Sequence, residues 1–304
     1  MLTRVNILQL LFPDFLLILC GHLICRFTRL GPDIWQPVEK LVYFFLFPVL
    51  LFYAIARAPL DLGAASSMIG AGVTLGLSGI ALSYALPHLP WLGRHIDPQL
   101  HAGAAQTAFR FNSFFGLALA DRLLGPPGVQ QFAVLIGFCV PLFNIASVWP
   151  MARRGSHGLL RELVRNPLIM ATVGGLLFNL SGLNIPDLLG PTLNRIGNAS
   201  IPLGLMAAGA GLELKRLGDG RALTLSLLTI KHLGMPLMAW CLSNGWGLTP
   251  LQTTVLLVFS ALPTASSAYV LAARMGFDGP YVAGLVTLST LAAAFSLTLV
   301  LTLN

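Results

Sequence analysis

Near the C-terminus, Pro280–Thr302 reads PYVAGLVTLSTLAAAFSLTLVLT, a run of 23 residues without one charged side chain. A helix needs about 20 apolar residues to cross the hydrocarbon core of a bilayer, which is about 30 Å thick. The run is continuous and lacks the period-two alternation that marks the strands of a membrane barrel. It therefore predicts a membrane-spanning α-helix.

The rest of the chain divides into similar apolar runs, which are separated by short connections rich in glycine and proline. Hydrophobic residues make up 56% of the 304 residues and charged residues only 10%, whereas soluble domains carry about 25% charged residues. The sequence thus predicts one all-α polytopic membrane domain of about ten helices. The predicted spans lie near residues 5–26, 38–57, 64–87, 103–124, 128–151, 167–183, 189–213, 221–245, 251–273 and 280–302.

The distribution of Lys and Arg predicts the orientation of these spans. With the N-terminus outside, the inward loops hold twelve of the 18 Lys and Arg, the outward side holds four, and Arg110 and Lys231 lie within spans. Cytoplasmic loops of membrane proteins carry such an excess of positive charge. We expect a multi-pass protein of the bacterial inner membrane with both termini in the periplasm. The same rule explains the net charge of +7, so this charge does not indicate that the protein binds nucleic acid.

Several classes of function are disfavoured by absent motifs. The chain has no phosphate-binding loop, no HExxH and no GxSxG, so we expect neither an enzyme nor an ATP-driven pump. The four cysteines show no zinc-ligand spacing, and His22 and His232 are isolated. No metal and no other cofactor is therefore expected.

Residues recur along the chain at an offset of 154: Pro13 and Pro167, Gly21 and Gly175, Pro48 and Pro202. This offset is half the chain and predicts two five-helix repeats, residues 1–151 and 167–304, joined by a cytoplasmic connection at residues 152–166. Because five is odd, the second repeat would cross the membrane in the opposite direction. Inverted repeats of this kind are characteristic of secondary transporters.

The fourth and ninth predicted spans are polar for membrane helices and hold corresponding places in the two repeats. In inverted-repeat transporters the solute binds near the bilayer midplane, where corresponding helices are interrupted. Arg110 and Ser113 would share one face of an intact helix, so Asn112 can converge with them only if the helix is broken there. The candidate substrate-binding residues are Arg110, Asn112, Ser113, Pro263, Thr264, Ser266 and Ser267.

Each candidate also has a purely structural interpretation. Small polar residues commonly pack membrane helices together. Arg110 could bind a carboxylate or form an ion pair with an acidic side chain such as Asp14. Asp14 could instead stabilise its helix dipole, and Lys231 could couple transport or extend toward a span end. Prolines in the second and seventh spans, Pro48 and Pro202, predict kinked or closely packed helices.

Several segments, in this order, resemble the auxin efflux carrier family: Tyr43–Phe52, Phe111–Ser113 with Gly116, Asn166–Ile169, Ile201–Gly204, and Leu262–Pro263 with Ala268–Ala272. The resemblance covers nearly the whole chain. It implies two inverted five-helix repeats whose fourth and ninth helices are broken and cross. It also implies transport of a small organic anion, as in the carriers of malate, malonate and auxin.

Positions carried over from the family add to the candidate site. They imply substrate contacts at Asn112 and Ser113 in one half and at Thr264, Ala265, Ser266 and Ser267 in the other. The family typically has a proline near Ala118, which this chain lacks, and Gly116 is then the candidate for flexibility in the fourth helix.

The function predicted from the sequence is secondary transport of a small carboxylate by alternating access within the bilayer, with a homodimer left open. One alternative is a sodium-coupled symporter of the bile-acid type, for which the spans offer few acidic residues. Another is a membrane solute sensor that does not transport, although the chain offers no soluble output domain. A membrane enzyme is a third alternative, and the missing catalytic motifs disfavour it most strongly.

Overall fold

The computed structural model describes residues 7–57, 66–154, 165, 167–210, 218 and 220–303. Within these ranges all regular structure is helical and no β-strand is present. The α-helices are α1 Ile7–Phe27, α2 Pro32–Leu41, α3 Phe47–Ala56, α4 Ser66–Ala85, α5 Pro98–Ala104, α6 Ser113–Arg154, α7 Pro167–Leu180, α8 Gly190–Ala210, α9 Arg221–Thr229, α10 Met235–Gly245, α11 Pro250–Ala261, α12 Ser267–Arg274 and α13 Gly279–Leu303.

Long apolar helices identify the chain as a polytopic membrane protein. Among the described residues, five helical segments are long and apolar enough to cross a bilayer: Asp33–Ala56, Ser66–His88, Val134–Arg153, Arg221–Gly245 and Gly279–Thr302. Large apolar side chains on several of them, such as Phe45, Leu237 and Phe295, are exposed on the outer surface. Such exposure is ordinary where the surrounding solvent is lipid.

Two of the long helices contain a π-helical turn just before a proline. The turn Val42–Leu46 joins α2 to α3, and the turn Ile230–Gly234 joins α9 to α10. Pro48 and Pro236 each follow their turn at the same distance. Proline removes one helical hydrogen bond and crowds the carbonyl one turn earlier, which widens the helix there. Pro202, in contrast, lies inside the continuous helix α8.

The helices pack as two groups. The first group consists of α1, α2 and α3 against α7 and α8, and the second contains α4, α6 and α9 to α13. Glycine allows close contact in the first group, because a Cβ at Gly21 would lie only 1.9 Å from the carbonyl oxygen of Met206. Contacts of α1 with α13 and of α6 with α7 join the two groups.

Two helical segments of the second group are interrupted. After α5 and a 3₁₀ turn at Ala105–Ala108, residues 109–112 leave the helix before α6 begins. In the same way, α11 ends at Ala261 and α12 begins at Ser267. The backbone N–H of Asn112 donates to the carbonyl of Pro263 across 2.9 Å. The two interruptions therefore cross in direct contact, and we call this place the crossing.

Two expectations for this region are corrected. Gly116 lies inside α6 after the interruption, and a Cβ there would be 2.1 Å from the Phe132 ring, so this glycine permits close packing instead of flexibility. The fourth and fifth predicted spans are joined through Gly125, whose φ of 64° turns the chain within α6. Most of the expected connection at 152–166 and the side chain of Asp14 lie outside the described residues.

Candidate functional site

Three hydrogen bonds join the fourth predicted span, which is interrupted between α5 and α6, to the ninth predicted span, which is interrupted between α11 and α12. Besides the Asn112–Pro263 bond, the side-chain amide of Gln106 donates to the carbonyl of Ala268 across 3.2 Å. The guanidinium of Arg110 donates to the hydroxyl oxygen of Ser267 across 2.6 Å. The first bond pairs two backbone groups that lie in the interruptions, and the other two pair buried polar side chains, which is necessary in a medium without water.

Arg110 is the cation of the crossing. Its side chain is only 5% exposed, and its second guanidinium nitrogen donates to Gln106 Oε1 across 2.7 Å. Within the described residues it forms hydrogen bonds to neutral groups and no ion pair with a carboxylate. A buried charge is costly unless it is paired. Arg110 is therefore a centre to which an anion would be attracted.

A cavity of about 60 Å³ lies beside Arg110. At roughly 10–15 Å³ for each enclosed water, it has room for about four to six waters. Its apolar walls come from α3 of the first group and from the second half of α6. Its lining is Phe47, Leu50, Leu51, Ala54, Arg110, Phe111, Asn112, Ser113, Ile136, Val140, Phe143, Asn144, Ala265, Ser266 and Ser267.

The cavity lies at the N-terminal ends of two helices. Ser113, the first residue of α6, and Ser267, the first residue of α12, both line it. The residues that end the preceding segments, Ala108 and Ala261, do not line it. N-terminal N–H groups lack partners within their own helix and carry partial positive charge. Two such ends beside one cation make the cavity suitable for an anion.

Asn112 shapes the start of α6. Its side-chain oxygen accepts the N–H of Phe115 across 3.1 Å, and its carbonyl accepts the N–H of Gly116 across 3.0 Å. This is N-terminal capping, which favours asparagine because a short side chain reaches the first free N–H groups. Asn112 therefore helps to begin the helix at the cavity, in addition to lining it.

Asn144 is a lining residue that the sequence analysis did not select. It is 1% exposed on α6, and its amide nitrogen has no hydrogen-bond partner within the described part of the protein. An unpaired buried donor costs about 1–3 kcal/mol, so it indicates a missing partner such as a solute or water. An asparagine within an otherwise apolar helix was the available signal, but many asparagines only join helices.

The structure separates the predicted residues into two sets. Arg110, Asn112, Ser113, Ala265, Ser266 and Ser267 line the cavity, whereas Pro263 and Thr264 do not. The carbonyl of Pro263 accepts the backbone N–H of Asn112, and the N–H of Thr264 donates to the hydroxyl oxygen of Ser289, so both groups hold the ninth-helix interruption.

Lys231 lies away from any helix end. It is 1% exposed in the middle of the long segment Arg221–Gly245, which disfavours the alternative in which it extends toward a span end. It forms no ion pair with the residues that the structure describes. The described residues also contain no group of three or more His, Cys, Asp or Glu side chains that could hold a metal ion.

Comparison with known proteins places these features in a family. A family model described as "Membrane transport protein" matches residues 94–301. An uncharacterized transporter of Methanothermobacter thermautotrophicus is 25% identical over 286 residues, which are 93% of this chain and 93% of that protein. The uncharacterized transporter YfdV of Escherichia coli is 24% identical over 279 residues, 87% of each chain.

A protein of Rhizobium meliloti, named a putative malonate transporter, is 23% identical over 305 residues, covering 96% of this chain and 94% of that protein. The family model covers about two thirds of the chain, including both helix interruptions and every residue of the crossing. The chain belongs to the auxin efflux carrier family of membrane transport proteins.

Proposed function

We propose that this protein is a secondary transporter that carries a small carboxylate through the cavity at the crossing. The observation that carries the proposal is the position of Arg110, a buried cation without an ion pair among the described residues, beside the N-termini of α6 and α12. Guanidinium groups bind carboxylates with two parallel hydrogen bonds. Helix N-termini add donors and partial positive charge.

The size and walls of the cavity favour a short organic anion. A cavity with room for about four to six waters suits an acid of a few carbon atoms, such as malonate, the solute for which one relative is named. Phe111, Phe143 and Leu51 offer apolar contact to a carbon chain. Asn144 offers an unpaired donor at the same cavity. One cationic end and apolar walls are a common design of organic-anion sites.

Contacts between the helix groups support alternating access as the mechanism. The cavity lies between α3 of the first group and the crossing of the second. The hydroxyl of Tyr269 donates to Glu39, and the Arg274 guanidinium lies 4.5 Å from the centre of the Phe44 ring. These contacts join α2 and the following π-helical turn to α12, and they would have to separate when one group moves against the other.

Equivalent helix contacts support ten spans in two inverted repeats. Gly21 approaches Met206, and Gly175 approaches Phe52. Gly175 lies 154 residues after Gly21, and Met206 lies 154 residues after Phe52. The second contact therefore repeats the first with the two halves exchanged. A pseudo-two-fold axis produces such reciprocal contacts. We propose residues 1–151 and 167–304 as the repeats.

The direct test compares two asparagines of the cavity. We expect Asn144→Leu and Asn112→Ala each to weaken malonate binding and uptake in proteoliposomes, by about 2- to 12-fold if one hydrogen bond of 0.5–1.5 kcal/mol is lost. Asn144→Leu should leave the melting temperature unchanged or raise it, because it removes an unpaired buried donor. Asn112→Ala should lower the melting temperature modestly, because it also removes a helix cap.

Asn198→Ala is the matched control, because Asn198 bonds to Asn194 within its own helix and does not line the cavity. Normal uptake by both cavity variants would refute the proposed site. Sodium coupling is tested in the same vesicles, since uptake that requires a sodium gradient would support the bile-acid type of symport instead.

The proposed orientation predicts which loops can be labelled from outside intact cells. In a variant without the four native cysteines, a cysteine at Leu188 should react with an impermeant maleimide, because that position is 87% exposed and the charge count places it in the periplasm. A cysteine at His157 should react only after lysis. Labelling of His157→Cys but not Leu188→Cys in intact cells would reverse the topology.

A further inference from the structure

A chain of hydrogen bonds leads away from the ninth-helix interruption and returns to it. At one end, the backbone N–H of Thr264 donates to the hydroxyl oxygen of Ser289 across 3.0 Å. At the other, the hydroxyl of Ser296 donates to the carbonyl of Ala261 across 3.0 Å. Between the two serines, both on α13, lies the imidazole of His232.

His232 contacts both serines with its two ring nitrogens. Nδ1 lies 3.0 Å from the Ser296 hydroxyl oxygen, and Nε2 lies 2.9 Å from that of Ser289. The side chain is 4% exposed and belongs to the π-helical turn Ile230–Gly234. It therefore connects a distorted part of one long helix to the last residue before the interruption, Ala261, and to Thr264 within it.

One placement of the protons gives every donor in this chain of bonds an acceptor. A serine hydroxyl has one proton, and the three acceptors nearest to Ser296 Oγ besides the imidazole are all carbonyl oxygens. When Ser296 donates to the carbonyl of Ala261, its oxygen can accept from Nδ1, which then carries the imidazole proton. In a neutral ring Nε2 is then an acceptor, so it receives the hydroxyl proton of Ser289, whose oxygen accepts the N–H of Thr264.

The direction of these bonds has a consequence for the crossing. The chain of bonds encloses Leu262 and Pro263. The carbonyl of Pro263 accepts the N–H of Asn112. Four residues after Pro263, Ser267 begins α12 and accepts the bond from Arg110. The position of the Ser267 hydroxyl at the cavity thus depends on how the preceding interruption is held.

We propose that His232, as the neutral Nδ1–H tautomer, is a positioning residue that holds the ninth-helix interruption through Ser289 and Ser296. It does not line the cavity and acts on the solute only through the backbone between Ala261 and Ser267. The binding part of this inference rests on the proposed transport function, whereas the tautomer and the backbone bonds do not.

The first experiment measures the tautomer in the protein without solute. In ¹⁵N NMR spectra of histidine-labelled protein, with His232→Gln used for assignment, Nδ1 should show the shift of a protonated nitrogen and Nε2 that of an unprotonated one. Ser289→Ala should change the Nε2 signal and accelerate hydrogen exchange of the Thr264 amide. A protonated Nε2, or unchanged Thr264 exchange in Ser289→Ala, would overturn the proposal whether or not the protein transports malonate.

The second experiment measures malonate affinity. Ser289→Ala should weaken it by about 5- to 30-fold, because it leaves the buried Thr264 N–H unpaired at the interruption. The matched control is Thr290→Val, since Thr290 is on the same helix and is 6% exposed, and among the described residues its hydroxyl bonds only to the carbonyl of Val286 in its own helix, across 2.8 Å. The Thr290→Val protein should bind malonate with the affinity of the unmodified protein.

Two substitutions of His232 separate its two bonds. The amide of His232→Asn can still donate to Ser296, and the amide of His232→Gln can still accept from Ser289. We expect His232→Gln to keep slow Thr264 exchange and most of the affinity, and His232→Asn to lose both. Equal affinity in both variants and in Ser289→Ala would show that the residue does not position the site.

Discussion

Arg110→Met is expected to reduce malonate uptake strongly while the protein remains folded. Methionine has a similar length but neither charge nor donors, so the cavity would lose the cation of the crossing. Loss of charge-assisted hydrogen bonds worth about 1.5–3 kcal/mol should weaken binding by about 10- to 100-fold. Stability should change little, since removing a buried cation without an ion pair offsets the loss of its bonds to Gln106 and Ser267.

Arg110→Lys distinguishes charge from geometry. One ammonium group keeps the positive charge, but it cannot hold Gln106 and Ser267 in the fork of a guanidinium. We therefore expect residual uptake with weakened affinity. Arg122→Met is the control, because Arg122 lies on α6 after the crossing and is exposed.

Uptake and melting temperature measured together decide between the two interpretations of Arg110. Unchanged affinity in Arg110→Met would exclude a solute-binding role. A protein that no longer folds in Arg110→Met and Arg110→Lys alike would assign Arg110 to the scaffold.

Gly21→Ala should cause a large loss of folded protein, although it adds only one methyl group. The new Cβ would lie 1.9 Å from the backbone oxygen of Met206, and a backbone contact cannot be relieved by rotating a side chain. The helices α1 and α8 would have to separate along their contact. Overpacking of this kind costs about 1–3 kcal/mol and sometimes more, which should appear as a lower melting temperature in detergent.

A neighbouring pair of glycines supplies the control. Gly174→Ala, on α7, meets nothing within 4 Å and should stabilise the protein slightly, because alanine is better than glycine in a helix by about 1 kcal/mol. Gly175→Ala brings its Cβ to 3.0 Å from the Phe52 oxygen and should destabilise it. Equal effects at both positions would show that helix propensity, and not the contact between helices, governs this interface.

The features that the sequence predicts correctly follow from one physical requirement that acts along the whole chain. Lipid cannot hydrogen-bond to the backbone, so apolar runs of this length must form helices, and family membership could be recognised from ordered motifs. Polar residues in the fourth and ninth spans also directed attention to the region that the structure describes as the crossing. The number of spans, the inverted repeat and the site itself remain predictions.

Positions within the crossing could not be predicted, because they depend on partners far along the chain. Residues 109–112 contain neither proline nor glycine, yet the helix stops there, where the N–H of Asn112 bonds to the carbonyl of Pro263. Gly116 was expected to give flexibility and instead allows the Phe132 ring to pack. The local sequence does not predict which distant residue will pair with a backbone group that has lost its helical hydrogen bond.

By itself, then, the sequence determined that lipid surrounds this protein, that its fold is helical and that it resembles a family of carriers. These follow from composition and from patterns within about 20 residues, over which a helix must cross a bilayer. Only the tertiary structure decided that Asn144 faces the cavity, that Pro263 and Thr264 do not, and that His232 joins Ser289 to Ser296. The physical reason is that a buried polar group is satisfied by whichever group packing brings within about 3 Å.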